Sequence, residues 1–133
     1  MKKDIDRDIP KVKNVYIVAS YEFNPIFKVD EWTIYLVNDN TEPLETVLVV
    51  SKGESNSKTT SILRKNLEVL PIKSFAKLEF LHDDVLALDN IFQVTYFLEG
   101  KLLHKDFRFS RFSLKPEVVV DLPLLNSKGI IAD

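Results

Sequence analysis

The residues of this chain that could carry out chemistry lie in one short region near its C-terminal third. The candidates for a ligand-binding site are Thr95, His104, Asp106 and Arg108. The last three alternate along the chain, so an extended backbone places their side chains on one face. An imidazole beside a carboxylate and a hydroxyl is the combination with which hydrolases activate a nucleophile. Alternating polar residues are also what a water-exposed strand face requires, and we expect no catalytic residue among them.

Other clusters of polar residues are incomplete as metal or phosphate sites. The run His-Asp-Asp at 82–84 offers metal ligands, but adjacent side chains of a strand point in opposite directions, so only a turn would let them converge. Asp4, Asp6 and Asp8 imitate the start of a calcium loop without its glycine or its distal glutamate. The run Gly-Glu-Ser at 53–55 lacks the remainder of a phosphate-binding loop. We therefore expect no metal and no cofactor.

Two predicted strands within residues 91–112 must position the candidate residues. They flank Glu99-Gly100, which has the composition of a two-residue hairpin turn. With that turn, Thr95 lies opposite His104, one face of the hairpin is mainly apolar and the other is mainly polar. Lys105 falls on the apolar face. It requires either a β-bulge or a side chain whose stem follows the edge of the core while its ammonium stays in water.

The composition sets limits on the class of protein. With 133 residues the chain is long enough for one domain. Its net charge of −2, with mixed signs, argues against nucleic-acid binding. The absence of cysteine excludes disulfides and thiolate chemistry. No apolar run approaches the roughly 18 residues that would cross a membrane, and the N-terminus lacks the apolar stretch of a secretory signal. We expect a cytoplasmic protein that does not bind membranes.

Alternation of apolar and polar residues recurs along most of the chain and predicts about seven antiparallel strands in a β-sandwich. Its core should contain Trp32, Phe80, Phe92 and Tyr96. Residues 59–70 fit both a helical stripe and a strand face. We favour a strand there, because the neighbouring elements are strands that need a pairing partner.

The predicted organisation is a charged N-terminal tail over 1–11, the sandwich over 12–115 and an extended C-terminal arm over 116–133. Pro116 and Pro123 restrict the arm to an edge segment. Its large side chains are too apolar for a solvated tail: Val118, Val119, Val120, Leu122, Leu124 and Leu125. The arm should therefore cover a sheet edge, either of its own domain or of a second copy in a homodimer. We slightly favour coverage of its own domain, with some contact across a dimer.

The sequence also resembles known families. The run Trp-Thr-Ile-Tyr-Leu-Val-Asn-Asp at 32–39, followed by Pro43-Leu44 and a valine-rich strand, resembles the early strands of bacterial immunoglobulin-like domains. The runs at 67–71 and 76–80 resemble their middle strands, and the likeness spans residues 12–112 without the cysteine pair of antibody domains. This resemblance implies an immunoglobulin-like β-sandwich.

The whole chain is similar to a family of short, uncharacterised bacterial proteins. Some members of that family are labelled as an α subunit of phenylalanyl-tRNA synthetase. A class II synthetase core needs a large mixed sheet and arginine-bearing ATP motifs, and this chain has neither. The label therefore suggests no activity for the residues present.

Two hypotheses about function follow. The first is a non-catalytic protein-interaction or structural module that binds a protein partner or itself. The second is a small ligand-binding protein or enzyme with a polar site on the 91–112 hairpin face. An enzyme needs a concave pocket in which polar groups converge. An interaction module needs an exposed apolar patch or a free sheet edge.

Overall fold

The protein is an all-β sandwich. The computed structural model describes residues 11–56, 58–60 and 62–133, and most of the predicted charged tail lies outside them. Within the described residues there are two antiparallel sheets and two short 3-10 turns, at Asp83–Val85 and Pro116–Val118. The strands are β1 (Val15–Asn24), β2 (Val29–Asn38), β3 (Leu44–Ser55), β4 (Lys58–Thr59), β5 (Leu63–Leu70), β6 (Ser74–Leu81), β7 (Asp89–Leu98), β8 (Lys101–Phe109), β9 (Val120–Asp121) and β10 (Lys128–Ile131).

The two sheets have a simple strand order. The first sheet runs β6-β2-β1-β10-β9. The second runs β4-β3-β7-β8, and β5 pairs with β3 along the edge that β4 also uses. Seven strands have eight or more residues and correspond to the predicted number, whereas β4, β9 and β10 are short additions at the edges.

The core forms between the facing sides of the two sheets. Trp32, Phe92 and Tyr96 are buried there as predicted. Phe92 also meets Phe109 edge to face, with 6.0 Å between the ring centroids. The prediction for Phe80 was wrong, because 42% of this residue is exposed.

A β-bulge explains the exposure of Phe80. On β2, Ile34 pairs with Glu79 and the next residue, Tyr35, pairs with Lys77, so Leu78 has no partner of its own. Beyond such a bulge the side chains exchange faces. Phe80 therefore points outward, and the carboxylate of Glu79 points into the space between the sheets.

Three segments are corrected or settled by strand pairing. Residues 63–70 form a strand, as favoured, because they pair with β3 from Leu70 to Leu63. The sequence also predicts a polar loop at 52–58 and a short strand at 85–88. Instead, residues 52–55 continue β3 and pair with β4 and β7. Residues 85–88 lie in and after a 3-10 turn.

The C-terminal arm packs on its own domain. β10 pairs with β1, and Leu122 is buried with Val18 and Val37 on the outer face of the first sheet. The hydroxyls of Ser20 and Ser127 share a hydrogen bond at 2.8 Å. Part of the arm nevertheless stays exposed, including Val118, Val120 and Leu124.

Candidate functional site

The β7–β8 hairpin has the predicted register throughout. Thr95 pairs with His104, and the partners continue without a shift from Leu98-Lys101 to Asn90-Phe109. Glu99 and Gly100 have φ values of 50° and 75°. Two positive φ angles identify a type I′ turn, whose twist suits a two-residue hairpin.

The structure links three of the four candidate residues into a chain of hydrogen bonds. Nδ1 of His104 lies 2.7 Å from Oγ1 of Thr95, and Nε2 lies 2.7 Å from Oδ1 of Asp106. With an ionised carboxylate and a neutral imidazole, Nε2 donates to Asp106 and Nδ1 accepts from the Thr95 hydroxyl. The order hydroxyl, imidazole, carboxylate is that of a hydrolytic triad.

The surroundings of this chain are open to water. The side chain of His104 is 51% exposed and that of Asp106 is 55% exposed, on the outward face of the second sheet. Exposed charges and dipoles interact weakly because water screens them. The arrangement suits one tautomer of the neutral imidazole, and about half of each side chain stays in water.

Arg108, the fourth candidate, belongs to a different cluster. Its guanidinium lies 3.2 Å from the carboxylate of Asp89, which also contacts the guanidinium of Arg111 at 3.3 Å. The backbone N–H of Arg111 donates to Asp89 at 2.8 Å. That hydrogen bond is the main reason why the pKa of Asp89 lies below its usual value, and the guanidinium of Arg111 adds to it.

Lys105 and Lys65 show how the sheet edges are protected, in addition to the two backbone hydrogen bonds by which Asp133 covers Arg108 of β8. β8 is an edge strand, its register has no bulge at Lys105, and the ammonium lies over the Phe107 ring at 4.7 Å. On the edge strand β5, the inward-facing Lys65 donates to the carbonyl of Lys77 at 2.8 Å. Inward-pointing charges and bulges both discourage the addition of a foreign strand. β6 has its bulge at Leu78 and β9 has two residues, so none of these edges is a favourable docking site.

An exposed apolar patch lies instead at the tip of the β1–β2 hairpin. Ile26 is 82% exposed and Phe27 is 73% exposed, and they are flanked by Phe23 at 60% and Val29 at 49%. We call these four residues the apolar tip. Large apolar side chains that cluster at a protruding loop mark interaction surfaces. Asn24-Pro25 has the composition of a strand break, and the sequence signal for this patch is the apolar pair Ile26-Phe27 that directly follows.

The apolar tip is held in a defined shape. Oδ1 of Asn24 accepts hydrogen bonds from the backbone N–H groups of Ile26 and Phe27, at 2.9 and 3.2 Å. Its Nδ2 donates to Glu31 at 3.0 Å, and Lys28 closes the loop with a φ of 55°. An Asx turn of this kind lowers the conformational freedom of the loop. The tip therefore loses little further entropy when a partner covers it.

Acidic residues surround the base of the apolar tip. Glu22 pairs across the hairpin with Glu31, and Asp30 pairs with Phe23 on the opposite face. Tyr35 donates its hydroxyl to the carboxylate of Glu22 at 2.9 Å, which offsets part of the repulsion between the facing glutamates. Burial, followed by this contact with Glu22, raises the pKa of Tyr35 to about 12. We call Glu22, Asp30 and Glu31 the acidic collar.

Comparison of the sequence with models of known protein families found no match, and comparison with curated proteins also found none. The described part of the chain contains no helix long and apolar enough to span a membrane. Within residues 11–56, 58–60 and 62–133, no group of three histidine, cysteine, aspartate or glutamate side chains is placed to hold a metal ion.

Proposed function

We propose that this chain is a non-catalytic protein-interaction module whose contact surface is the apolar tip. The observation that carries the proposal is the exposure of Ile26 and Phe27 on a loop that hydrogen bonds hold in place. Covering a large apolar side chain is favourable by about 1.5–3 kcal/mol. Two such side chains on a preordered loop make an anchor of the kind found at the centres of protein interfaces.

The acidic collar favours one kind of partner. A pocket that receives Ile26 and Phe27 would be apolar inside and basic at its rim, because opposite charges attract around a contact. Two copies of the collar would repel each other, which argues against a homodimer formed tip to tip. The same charges disfavour an anionic membrane surface. The partner is therefore a different protein with a basic surface.

An immunoglobulin-like arrangement remains part of the proposal. β1, β2 and β6 share one sheet while β3, β7 and β8 share the other, as strands A, B, E and C, F, G do in immunoglobulin-like sandwiches. β5, the fourth long strand, departs from the constant-type pattern because it pairs with β3. The apolar tip corresponds to the A–B loop, at the end opposite to the loops with which antibody variable domains bind.

Partner capture tests the proposal. Equal amounts of the wild type and of the double variant Ile26→Ser/Phe27→Ser are immobilised. Each is then used to capture proteins from a lysate of the native host. We expect a partner retained by the wild type and lost from the double variant, with unchanged thermal melting. Leu102→Ser, which replaces another exposed apolar residue, is the matched control and should retain the partner. Equal retention by the double variant would overturn the proposal.

The chain Thr95-His104-Asp106 favours a second candidate function, a small hydrolase or ligand-binding protein. Its test is the turnover of an activated ester such as 4-nitrophenyl acetate. Our proposal predicts that wild type and His104→Ala hydrolyse the ester at the same slow rate. A wild-type rate that His104→Ala and Thr95→Ala both abolish would establish the second function instead.

A further inference from the structure

The open edges of β5 and β6 face each other across a groove. The groove has a volume of about 610 Å³ and is lined by both strands, including Leu63, Lys77 and Phe80. It adjoins a cavity of about 320 Å³ between the sheets, which reaches Ser51 and Phe92. Glu79 and His82 line both spaces. We call the smaller space the Glu79 cavity.

The bulge at Leu78 places a carboxylate in this cavity. Glu79 pairs with Ile34, a core residue, so its side chain points between the sheets. The buried Ser51 donates its hydroxyl to Oε1 of Glu79 at 3.0 Å. Burial raises the pKa of Glu79, and the contacts with Ser51 and His82 oppose that effect only in part. The carboxylate is therefore partly removed from water, and it has no ion-pair partner among the described residues.

Three described lysines near the cavity are engaged elsewhere. Lys52 lies 3.4 Å from Glu54, and Lys65 donates to the carbonyl of Lys77. The ammonium of Lys77 lies over the Phe80 ring, 4.5 Å from its centroid. Among the described residues, no lysine or arginine forms an ion pair with Glu79. His82 and Asp84 are the other titratable groups in the lining, and Asp84 adds negative charge.

We propose that the Glu79 cavity binds the basic side chain, lysine or arginine, of a protein or peptide. The walls contributed by Leu63, Leu81 and Phe92 suit the aliphatic stem of such a side chain. The carboxylate of Glu79 receives the cationic head, and Ser51 keeps one carboxylate oxygen oriented. A hydrogen bond between ionised groups inside a partly dry cavity is stronger than one at the surface. The site is independent of the apolar tip.

Nuclear magnetic resonance titration of the full chain tests the proposal. The probes are N-acetyl-arginine amide and N-acetyl-lysine amide, in which the side chain carries the only charge. N-acetyl-citrulline amide is the neutral control, because it keeps the shape of arginine and loses the charge. We expect saturable shifts at the amides of Ser51, Leu63, Phe80 and His82 with at least one basic probe. The affinity for citrulline amide should be lower than that for the basic probe by a factor of about ten or more.

Two variants and a pH series complete the test. Glu79→Gln should weaken binding of the basic probe about tenfold or more, whereas Glu68→Gln, an exposed carboxylate on β5, should not change it. In the wild type, binding should weaken as pH falls through the raised pKa of Glu79, so the test does not depend on the variant folding. Equal binding of citrulline amide, or shifts spread over exposed acidic residues and unchanged in Glu79→Gln, would overturn the proposal.

Discussion

Tyr96 shows how a single atom in the core can oppose stability. Its ring is buried between the sheets, and its hydroxyl has no hydrogen-bond partner among the described residues. Burial raises its pKa to about 12. A buried hydroxyl without a partner costs about 1–3 kcal/mol of desolvation, which the ring must offset through packing.

Removing that hydroxyl should therefore stabilise the protein. We expect Tyr96→Phe to raise the free energy of unfolding by about 1 kcal/mol in urea titrations. Tyr35→Phe is the matched control with the opposite sign, because it removes the hydrogen bond to Glu22. A loss of stability in Tyr96→Phe would mean that the hydroxyl has an acceptor in solution.

Glu79 should make stability depend on pH. Burial, its largest influence, raises its pKa above the ordinary value of 4.5. Between the unfolded and folded pKa values the folded protein keeps a proton that the unfolded chain has lost. The contribution of Glu79 to the free energy of unfolding is thus present at low pH and is lost as pH rises through the raised pKa.

Urea unfolding of wild type and Glu79→Gln between about pH 4 and pH 7 measures this contribution. We expect the wild type to lose stability relative to the variant as pH rises, and the difference to level off above the raised pKa. Glu68→Gln should show no such trend, because Glu68 is exposed. A difference that stays constant, or that increasingly favours the wild type, would contradict the burial of the carboxylate.

At the scale of the element, strand pairing decided which sequence predictions succeeded. The β7–β8 hairpin was predictable to the residue, because a two-residue turn at Glu99-Gly100 fixes the register locally. The outward position of Phe80 was not predictable, because the bulge at Leu78 depends on how β6 meets β2. Lys105 lies on the apolar face of the hairpin. Because β8 is an edge strand, its inward side chain still reaches water.

β10 depends on a glycine for its pairing. A Cβ atom added at Gly129 would lie 1.9 Å from the carbonyl oxygen of Ala19 and 2.8 Å from its carbon. Both are backbone atoms, so no side-chain rotation relieves the overlap. Gly129→Ala should therefore separate β10 from β1 and lower the free energy of unfolding by about 1–3 kcal/mol.

Hydrogen exchange and urea titration check the role of Gly129. Amides of Ile17 and Ala19, whose backbone groups face β10, should exchange faster in Gly129→Ala. Lys128→Ala changes an exposed residue of the same strand and serves as the control. If the two variants show the same exchange rates and the same free energy of unfolding, Gly129 does not pack closely against the backbone of Ala19.

At the scale of the whole molecule, the sandwich protects its edges and exposes the apolar tip. The inward lysines Lys65 and Lys105, the bulge at Leu78 and the short β9 all discourage strand addition. The apolar tip has no such protection. The alternation of residues predicted the sandwich, but it could not predict the tip, because the same apolar residues would be buried if another segment covered them.

A photo-crosslinking amino acid at position 27 tests the proposed contact surface most directly. Phe27 is replaced by p-benzoylphenylalanine in the native host, and the matched control carries the same group at the exposed position 102. We predict a light-dependent adduct with one protein of basic surface from position 27, and no adduct of that mass from position 102. The absence of an adduct at position 27, or the same adduct from both positions, would contradict a role for the apolar tip in binding.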